Sequence, residues 1–290
     1  MTVRQPVRAG SFYESSPDAC RRHARKLLDS ARLPEDLPET LYGGVVPHAG
    51  WAFSGRLAAE TLKALHQAKP LETVVVFGAD HVGVVRSAEV YAEGAWRTPL
   101  GDVPIAEDVA TEILAADGEL RSDPDAHGYE HSIEVQIPLI AECAAEARMV
   151  PIAVPPHELA VSVGRTVGKV LAERFPDVRV IGSTDLTHHG GHFPAPGGRG
   201  MRGVEWTREN DRRMLELIEA MDAEGILREA AERGNACGAG ALAAAVAAAR
   251  QMGASRGIVL EYTNSYEVIH EMYPDEPDDT TVGYASAVFA

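Results

Sequence analysis

Short runs of apolar, β-branched residues recur along this chain, separated by segments with helical periodicity. The runs at residues 42–46, 73–77, 148–154 and 178–181 are mostly bounded by Gly or Pro, which predicts buried strands. Two further strands are predicted at residues 257–262 and Thr281–Phe289. This alternation is typical of an α/β fold, in which helices flank a central, mostly parallel or mixed sheet.

Helical patterns fill the intervals between the predicted strands. Ser54 is a candidate N-cap for a helix with one apolar face, and further helices are predicted at residues 158–175, 205–218 and 240–250. The two segments that resemble loops are residues 192–203, rich in Gly and Pro, and the acidic residues 273–279. Neither divides the chain by composition, so residues 1–290 are predicted to form a single domain.

Composition limits the classes of partner. The 290 residues are 45% hydrophobic, enough for a sizeable core, and 27 Lys and Arg against 43 Asp and Glu give a formal net charge of −16. This charge repels phosphate, so neither nucleic acid nor an anionic membrane is an expected partner. The sequence shows no secretory signal and no apolar run near the roughly 20 residues of a membrane span. Three widely spaced cysteines agree with a reducing compartment, and the predicted location is cytoplasmic.

Polar side chains follow three of the predicted strands directly. His48 comes after the strand ending at residue 46, His81 after the one ending at 77, and Asp185 with His188 after the one ending at 181. In open α/β sheets the strand-to-helix loops meet at the carboxyl edge, where ligand sites form. The sequence therefore predicts that these side chains share one crevice, where the two imidazoles of His48 and His81 are suited to a transition metal.

Cys237 is a candidate third ligand. It precedes the Ala-rich helix in "GNACGAGALAAAV", where unpaired N–H groups and the helix dipole favour a thiolate. The alternative is that Cys237 is a small buried residue beside glycines that permit close packing. Cys20 and Cys143 lie in helix-like contexts that require no functional role.

Two further clusters combine carboxylates with histidines. In "TDLTHHG", Asp185 is close enough to orient His188 and leave its other ring nitrogen free as an acid or base, or it satisfies backbone N–H groups instead. His189 is a neighbour in the same turn. Glu130 and His131 open a segment predicted to be helical, where His131 either points into the crevice or caps the helix.

Seven motifs appear in the order found in one protein family. They are "AGSFY" (9–13), "PHAGWAFSG" (47–55), "GADHVG" (78–83), "EHSIEVQIP" (130–138), "STDLTHHG" (183–190), "NACG" (235–238) and "VGYASAVF" (282–289). Together they resemble the Memo (mediator of cell motility) family over nearly the whole chain. The chain departs from the family pattern at four positions. Trp51 and Phe53 stand where tyrosines are common, Glu14 stands where proline is usual, and His189 takes a place often held by an aromatic residue. These departures change the expected pocket wall.

The resemblance implies a fold similar to the class III extradiol dioxygenases, non-haem iron enzymes that open catechol rings with oxygen. Carried onto this chain, it implies His48, His81 and Cys237 as metal ligands, with Cys237 in place of a glutamate. His188, oriented by Asp185, matches the acid/base position. Fe(II) is the expected metal, and because a thiolate is softer than a carboxylate, Cu and Zn are also compatible. A catechol-like small molecule is the expected substrate, and prokaryotic relatives imply a functional link to a radical-SAM protein.

Two other functions use the same residues. The first is a non-enzymatic effector, since animal Memo proteins are regarded as binding phosphotyrosine peptides and redox-active metal. The second is a metal-free hydrolase or transferase in which Cys237 attacks, His188 is the base and Asp185 orients it. This last hypothesis leaves His48 and His81 without a role.

Overall fold

The computed structural model describes residues 2–273 and 280–290, so residues 274–279 of the predicted acidic loop lie outside the described residues. The helices are α1 (Pro17–Ser30), α2 (Trp51–Ala68), α3 (Glu107–Ala116), α4 (Ile137–Cys143), α5 (Leu159–Arg174), α6 (Met201–Glu219), α7 (Ala223–Arg233), α8 (Ala239–Met252) and α9 (Ser265–Met272). The strands are β1 (Val3–Arg4), β2 (Gly43–Val46), β3 (Thr73–Gly78), β4 (Ala88–Val90), β5 (Ala95–Thr98), β6 (Gly101–Pro104), β7 (Leu120–Ser122), β8 (Arg148–Ala153), β9 (Arg179–Ser183), β10 (His188–His189), β11 (Gly257–Asn264) and β12 (Thr281–Phe289).

The main sheet has a parallel centre in the order β2, β9, β3 and β8. Beyond β2, the antiparallel β12 is added and pairs in turn with β10 and β11. Beyond β8, the sheet continues through the antiparallel β4 to β7. A small separate sheet contains β1, β5 and β6. The predicted α/β fold, a mixed sheet flanked by helices, is confirmed.

The parallel strands are buried on both faces. On β3, Val75 and Phe77 contribute to the core on the side of α5 and α8, whereas Val74 and Val76 contribute to the core that contains α1, α2 and α4. Successive side chains of a strand point to opposite faces, so a continuous run of apolar residues supplies both cores. Because the four central strands are parallel, their carboxyl ends lie at the same edge of the sheet, and helices cover both faces of these strands.

Helix α8 packs unusually close to α5. A Cβ atom built on Gly164 of α5 would lie 2.3 Å from the Ala244 carbonyl oxygen, and one on Gly168 would lie 2.3 Å from that of Ala248. The glycines of one helix therefore face the alanines of the other, which brings the two backbones together. This contact fixes the position of the α8 N-terminus, just after Cys237.

The predicted strands all appear, with ends that shift by one or two residues, but three helical predictions need correction. Helix α2 begins before the expected cap, because Gly50 occupies the N-cap and the Ser54 hydroxyl donates to the Ala49 carbonyl. Helix α6 begins inside the loop predicted at residues 192–203. The segment after Glu130 starts as a turn, and α4 begins later than predicted.

Candidate metal centre

Three loops bring His48, His81 and Cys237 together at the carboxyl edge of the sheet. His48 follows β2, His81 follows β3 and Cys237 precedes α8. One donor atom from each side chain lies within 4.8 Å of the others, and the Cys237 Sγ is 3.2 Å from the His48 Nε2. The structure thus brings together the three residues that were predicted from the sequence to be metal ligands.

The tautomer of His48 follows from its neighbours. The Ser183 hydroxyl donates to the Ser132 carbonyl at 2.8 Å, so its oxygen is left to accept the proton of His48 Nδ1 at 3.0 Å. The Nε2 lone pair then faces Cys237. Burial, followed by the nearby His81, lowers the pKa of His48, which keeps the imidazole neutral as a metal ligand must be.

Glu130 fixes the tautomer of His81, as Ser183 does for His48. Its carboxylate lies 3.0 Å from His81 Nδ1 and accepts the backbone N–H groups of His81, His131 and Ser132. Burial raises the pKa of Glu130, but these hydrogen bonds outweigh burial and hold it below its usual range. The ionised carboxylate therefore holds the proton on Nδ1 and directs the Nε2 lone pair outward. His81, Glu130 and His131 form a second close donor group, but the Glu130 oxygens are already occupied by these donors.

Cys237 is held against the end of β9. Its N–H donates to the Asp185 carbonyl at 3.2 Å, and the next N–H, that of Gly238, donates to Thr184 Oγ1 at 2.9 Å. Burial, followed by the Asp185 carboxylate, raises the pKa of the Cys237 thiol, contrary to the expectation that the helix dipole favours a thiolate here. A bound cation reverses this effect because a coordinating thiol is deprotonated. Burial lowers the pKa of His81, but the hydrogen bond and the charge of Glu130 outweigh burial and raise it, so a metal at His81 competes with a proton. Two imidazoles and one such thiol, each without its proton on the donor atom, fit a transition metal.

Asp185 and His188 do not form the expected pair. The Asp185 carboxylate accepts the backbone N–H groups of His48 at 2.7 Å and Ala49 at 3.3 Å, which is the alternative role considered for it. Nδ1 of His188 lies 3.0 Å from the Leu186 carbonyl, so it carries the proton and Nε2 is left as an acceptor. Burial lowers the pKa of His188 and raises that of Asp185 to about 7.

A cavity of about 570 Å³ opens beside His48 and His81, and Cys237 is not one of its lining residues. Histidine and aspartate side chains form one part of its lining, and aromatic side chains form another part: His48, His81, His131, Asp185, His188, Phe12, Phe53, Phe193 and Tyr284. The ring of His131 is 4.7 Å from that of His81 and 5.1 Å, edge-on, from that of Phe12. The pocket is thus an apolar chamber with imidazoles on one side.

Two residues expected at the pocket lie elsewhere. Trp51 is buried in the core, where its Nε1 donates to the Val135 carbonyl at 3.0 Å. His189 is buried with its ring 5.3 Å from that of Trp206. Both residues belong to motifs that also contain pocket residues. Adjacent side chains in these motifs point in different directions, so membership of a motif does not place a side chain in the pocket.

Sequence reasoning missed other residues of the site. The support that Ser183 and Glu130 give to the histidines depends on side-chain geometry, and the adjacency of Glu130 to His131 was the available signal. Phe12, Phe193 and Tyr284 line the pocket from distant positions in the chain. For Phe193 the signal was an aromatic residue inside a loop rich in Gly and Pro.

Comparison with known proteins places the chain in one family. The family model described as "Memo-like protein" matches residues 4–288. A MEMO1 family protein of Methanopyrus kandleri is 38% identical, with 99% of this chain and 98% of the relative covered. Relatives from Pyrococcus abyssi and Thermococcus kodakarensis are 36% and 35% identical, each with 99% of both chains covered. The chain belongs to the Memo family.

Proposed function

We propose that this protein holds Fe(II) through His48, His81 and Cys237 and opens the ring of a catechol-like compound with dioxygen. The observation that carries the proposal is the convergence of three donor atoms within 4.8 Å, from three distant loops. The likeness of the family to extradiol dioxygenases favours iron over copper or zinc. A bound Fe(II) supplies the oxygen chemistry that protein side chains lack.

His188 is proposed as the proton acceptor. Its Nδ1 is engaged by the Leu186 carbonyl, and its lowered pKa keeps Nε2 unprotonated near neutral pH. Because His188 lines the same pocket as His48 and His81, this nitrogen is available to take a proton from a substrate hydroxyl and later return it.

The remaining pocket residues bind and shield the substrate in this proposal. Burial lowers the pKa of His131 to about 4, so this ring is neutral and packs edge-on against Phe12. Together with Phe53 and Phe193, it offers flat apolar surface suited to an aromatic ring. Such surface also limits the access of water to the metal donors.

The metal-free thiol mechanism is less well supported. It requires Cys237 to be activated by His188, but the contact of the Cys237 Sγ is with His48 Nε2, and the pKa of the thiol is raised. A thiol with a raised pKa is a poor nucleophile at neutral pH.

The cytoplasmic location and the link to a radical-SAM protein stay predictions.

Oxygen uptake tests the proposed activity. Protein reconstituted with Fe(II) under anaerobic conditions is mixed with 4-methylcatechol and oxygen, and uptake is followed with an electrode. We expect His188→Gln to keep its iron but to lose about 10²- to 10⁴-fold in rate, the usual contribution of general acid–base catalysis. The exposed His157 provides the control His157→Gln, which should behave as wild type. Stoichiometric iron without any uptake would instead support the non-enzymatic effector.

A further inference from the structure

A buried carboxylate on α6 binds the segment that carries His188. Asp211 is fully buried, and in the part of the chain that the structure describes no cationic side chain pairs with it. Its two oxygens accept the Thr187 N–H at 2.9 Å and the Tyr262 hydroxyl at 2.8 Å. Burial raises the pKa of Asp211 to about 6, against the opposing effect of these hydrogen bonds, so the carboxylate is mostly ionised at neutral pH. Hydrogen bonds to an ionised group are the stronger kind, and Thr187 is therefore held firmly.

One peptide group connects Asp211 to His188. The N–H that Asp211 accepts and the carbonyl that lies 3.0 Å from His188 Nδ1 belong to the same peptide bond, between Leu186 and Thr187. A peptide group is planar, and its N–H and C=O point in opposite directions, so a carboxylate that fixes the N–H also fixes the carbonyl. Hydrogen bonds in a chain also polarise one another, which makes this carbonyl a stronger acceptor for the imidazole proton.

Strand β12 fixes the same peptide group from another side. The Leu186 N–H donates to the Gly283 carbonyl at 2.8 Å, and the Gly283 N–H donates to the Thr187 carbonyl at 2.9 Å. A Cβ on Gly283 would overlap the Asp211 carboxylate, so the absence of a side chain here gives the carboxylate its place. Asp211 is not one of the residues that line the pocket, and it can therefore act on the site only through the segment that it binds.

We propose that Asp211 is a positioning residue for His188. Through the peptide group between Leu186 and Thr187 it keeps the proton on His188 Nδ1, so that Nε2 is left unprotonated for the reaction. The inference rests on the proposed function, in which His188 is the proton acceptor, and it adds the group that prepares this histidine. Asp185, which is closer in sequence, is not available for this task because it accepts two backbone N–H groups of the loop after β2.

NMR of full-length protein with nitrogen-labelled histidine tests the inference. The protein is kept free of paramagnetic iron, and the His188 signals are identified by their loss in His188→Gln. We expect wild type to hold His188 as the Nδ1–H tautomer near neutral pH. In Asp211→Ala the ratio of Nδ1–H to Nε2–H should fall at least about fivefold, the scale of one hydrogen bond. Asp211→Asn keeps an oxygen that accepts the Thr187 N–H, so it should retain most of the wild-type ratio.

Two controls separate positioning from stability. Tyr262→Phe removes the donor to the other oxygen of Asp211 and leaves the Thr187 contact, so it should lower the melting temperature without changing the tautomer. Asp222 accepts the Gly225 N–H at the start of α7, and Asp222→Ala removes a carboxylate that holds the backbone of another helix. If Asp211→Ala is unstable, Asp211→Leu combined with Tyr262→Phe removes the carboxylate while keeping similar shapes.

Oxygen uptake by the iron-loaded variants measures the consequence for the proposed reaction. With 4-methylcatechol, Asp211→Ala should lower kcat at least about tenfold and leave KM and the iron content within about twofold of wild type. In the His188→Gln background the same change should have little further effect, because the effects of residues that act as a unit are not additive.

The two measurements distinguish this inference from the function on which it rests. An unchanged tautomer in Asp211→Ala, or an equal change in Asp222→Ala, overturns the role of Asp211 and leaves the metal centre untouched. The same loss of kcat with and without His188 also overturns this role. Stoichiometric iron without oxygen uptake in wild type overturns the proposed function, while the tautomer still decides whether Asp211 directs the His188 ring.

Discussion

Both candidate histidine ligands have the second ring nitrogen hydrogen-bonded by a buried oxygen. The Ser183 hydroxyl oxygen accepts a hydrogen bond from His48 Nδ1, and the Glu130 carboxylate accepts one from His81 Nδ1. These contacts fix the tautomer and the orientation of each ring before any metal arrives. Metal affinity should therefore depend on residues that never touch the ion.

Glu130 holds His81 in the orientation that a metal ligand needs. The change Glu130→Gln removes the negative charge that holds the proton on His81 Nδ1. We expect the affinity for the metal to fall by about 10- to 100-fold, as for other residues that orient metal ligands. Competition with a chromophoric chelator measures this effect. Glu142→Gln, at a glutamate that pairs with arginines of α1, is the matched control, and an unchanged affinity in Glu130→Gln would contradict the role of Glu130.

A buried histidine, His127, lies outside the metal centre. His127 is fully buried, and its Nε2 lies 3.0 Å from the Glu89 carbonyl. Burial lowers its pKa from 6.5 to about 4. The unfolded chain consequently binds a proton at a higher pH than the folded protein, so stability falls as the pH drops through 6.5 towards 4.

The change His127→Gln should reduce this acid sensitivity. Between pH 7 and pH 5, wild type should lose about 2 kcal/mol more of its free energy of unfolding than the variant does. Urea unfolding at the two pH values measures the difference, with His157→Gln as the exposed control. Equal losses in wild type and His127→Gln would show that His127 is not the proton acceptor.

For single residues, the sequence indicated which residue types belong to the site, but it indicated less well where each side chain points. His48 and His81 were predictable because each follows a β-branched run that ends at the same sheet edge. The partner of Asp185 was not predictable, because the choice between the nearby His188 and the distant His48 backbone depends on how β9 lies beside β2. Sequence proximity favoured the wrong partner.

Secondary-structure elements determine how close these loops come. Helix α8 carries Cys237 at its start, and the glycines of α5 allow its backbone to approach. The change Gly168→Ala places a methyl group 2.3 Å from the Ala248 carbonyl oxygen. We expect the free energy of unfolding to fall by about 1–3 kcal/mol, the usual cost of overpacking.

A second glycine provides the control for this prediction. A Cβ on Gly118 would meet no atom within 4 Å, so Gly118→Ala should change stability by less than about 0.5 kcal/mol. Chemical denaturation of both variants gives the comparison. If Gly168→Ala were as stable as Gly118→Ala, the close packing of α5 on α8 would be contradicted.

The elements themselves were predictable to different degrees. The central strands have continuous β-branched runs, so local pattern and tertiary environment agree. Strand β1 is only two residues long and is defined by pairing with β5, far along the chain, which no local pattern reveals. Helix α2 lacks a side-chain cap, so its start was placed too late.

The whole molecule brings distant segments to one edge of the sheet. The parallel strands deliver His48 and His81, α8 delivers Cys237, and the N-terminal segment is folded over the wall through Glu134. The alternation of strands and helices predicted the sheet edge on which these segments meet. The N-terminal segment was not placed, because its position depends on buried hydrogen bonds to Glu134 rather than on periodicity.

The most direct test of the account is the metal content of the protein. After anaerobic reconstitution with Fe(II) and removal of free metal, plasma mass spectrometry should find about one iron per wild-type chain. His48→Ala, His81→Ala and Cys237→Ser should each lose this iron, whereas the controls His66→Ala and Cys143→Ser should keep it. Wild type without bound metal, or iron retained in all three ligand variants, would contradict the proposed metal centre.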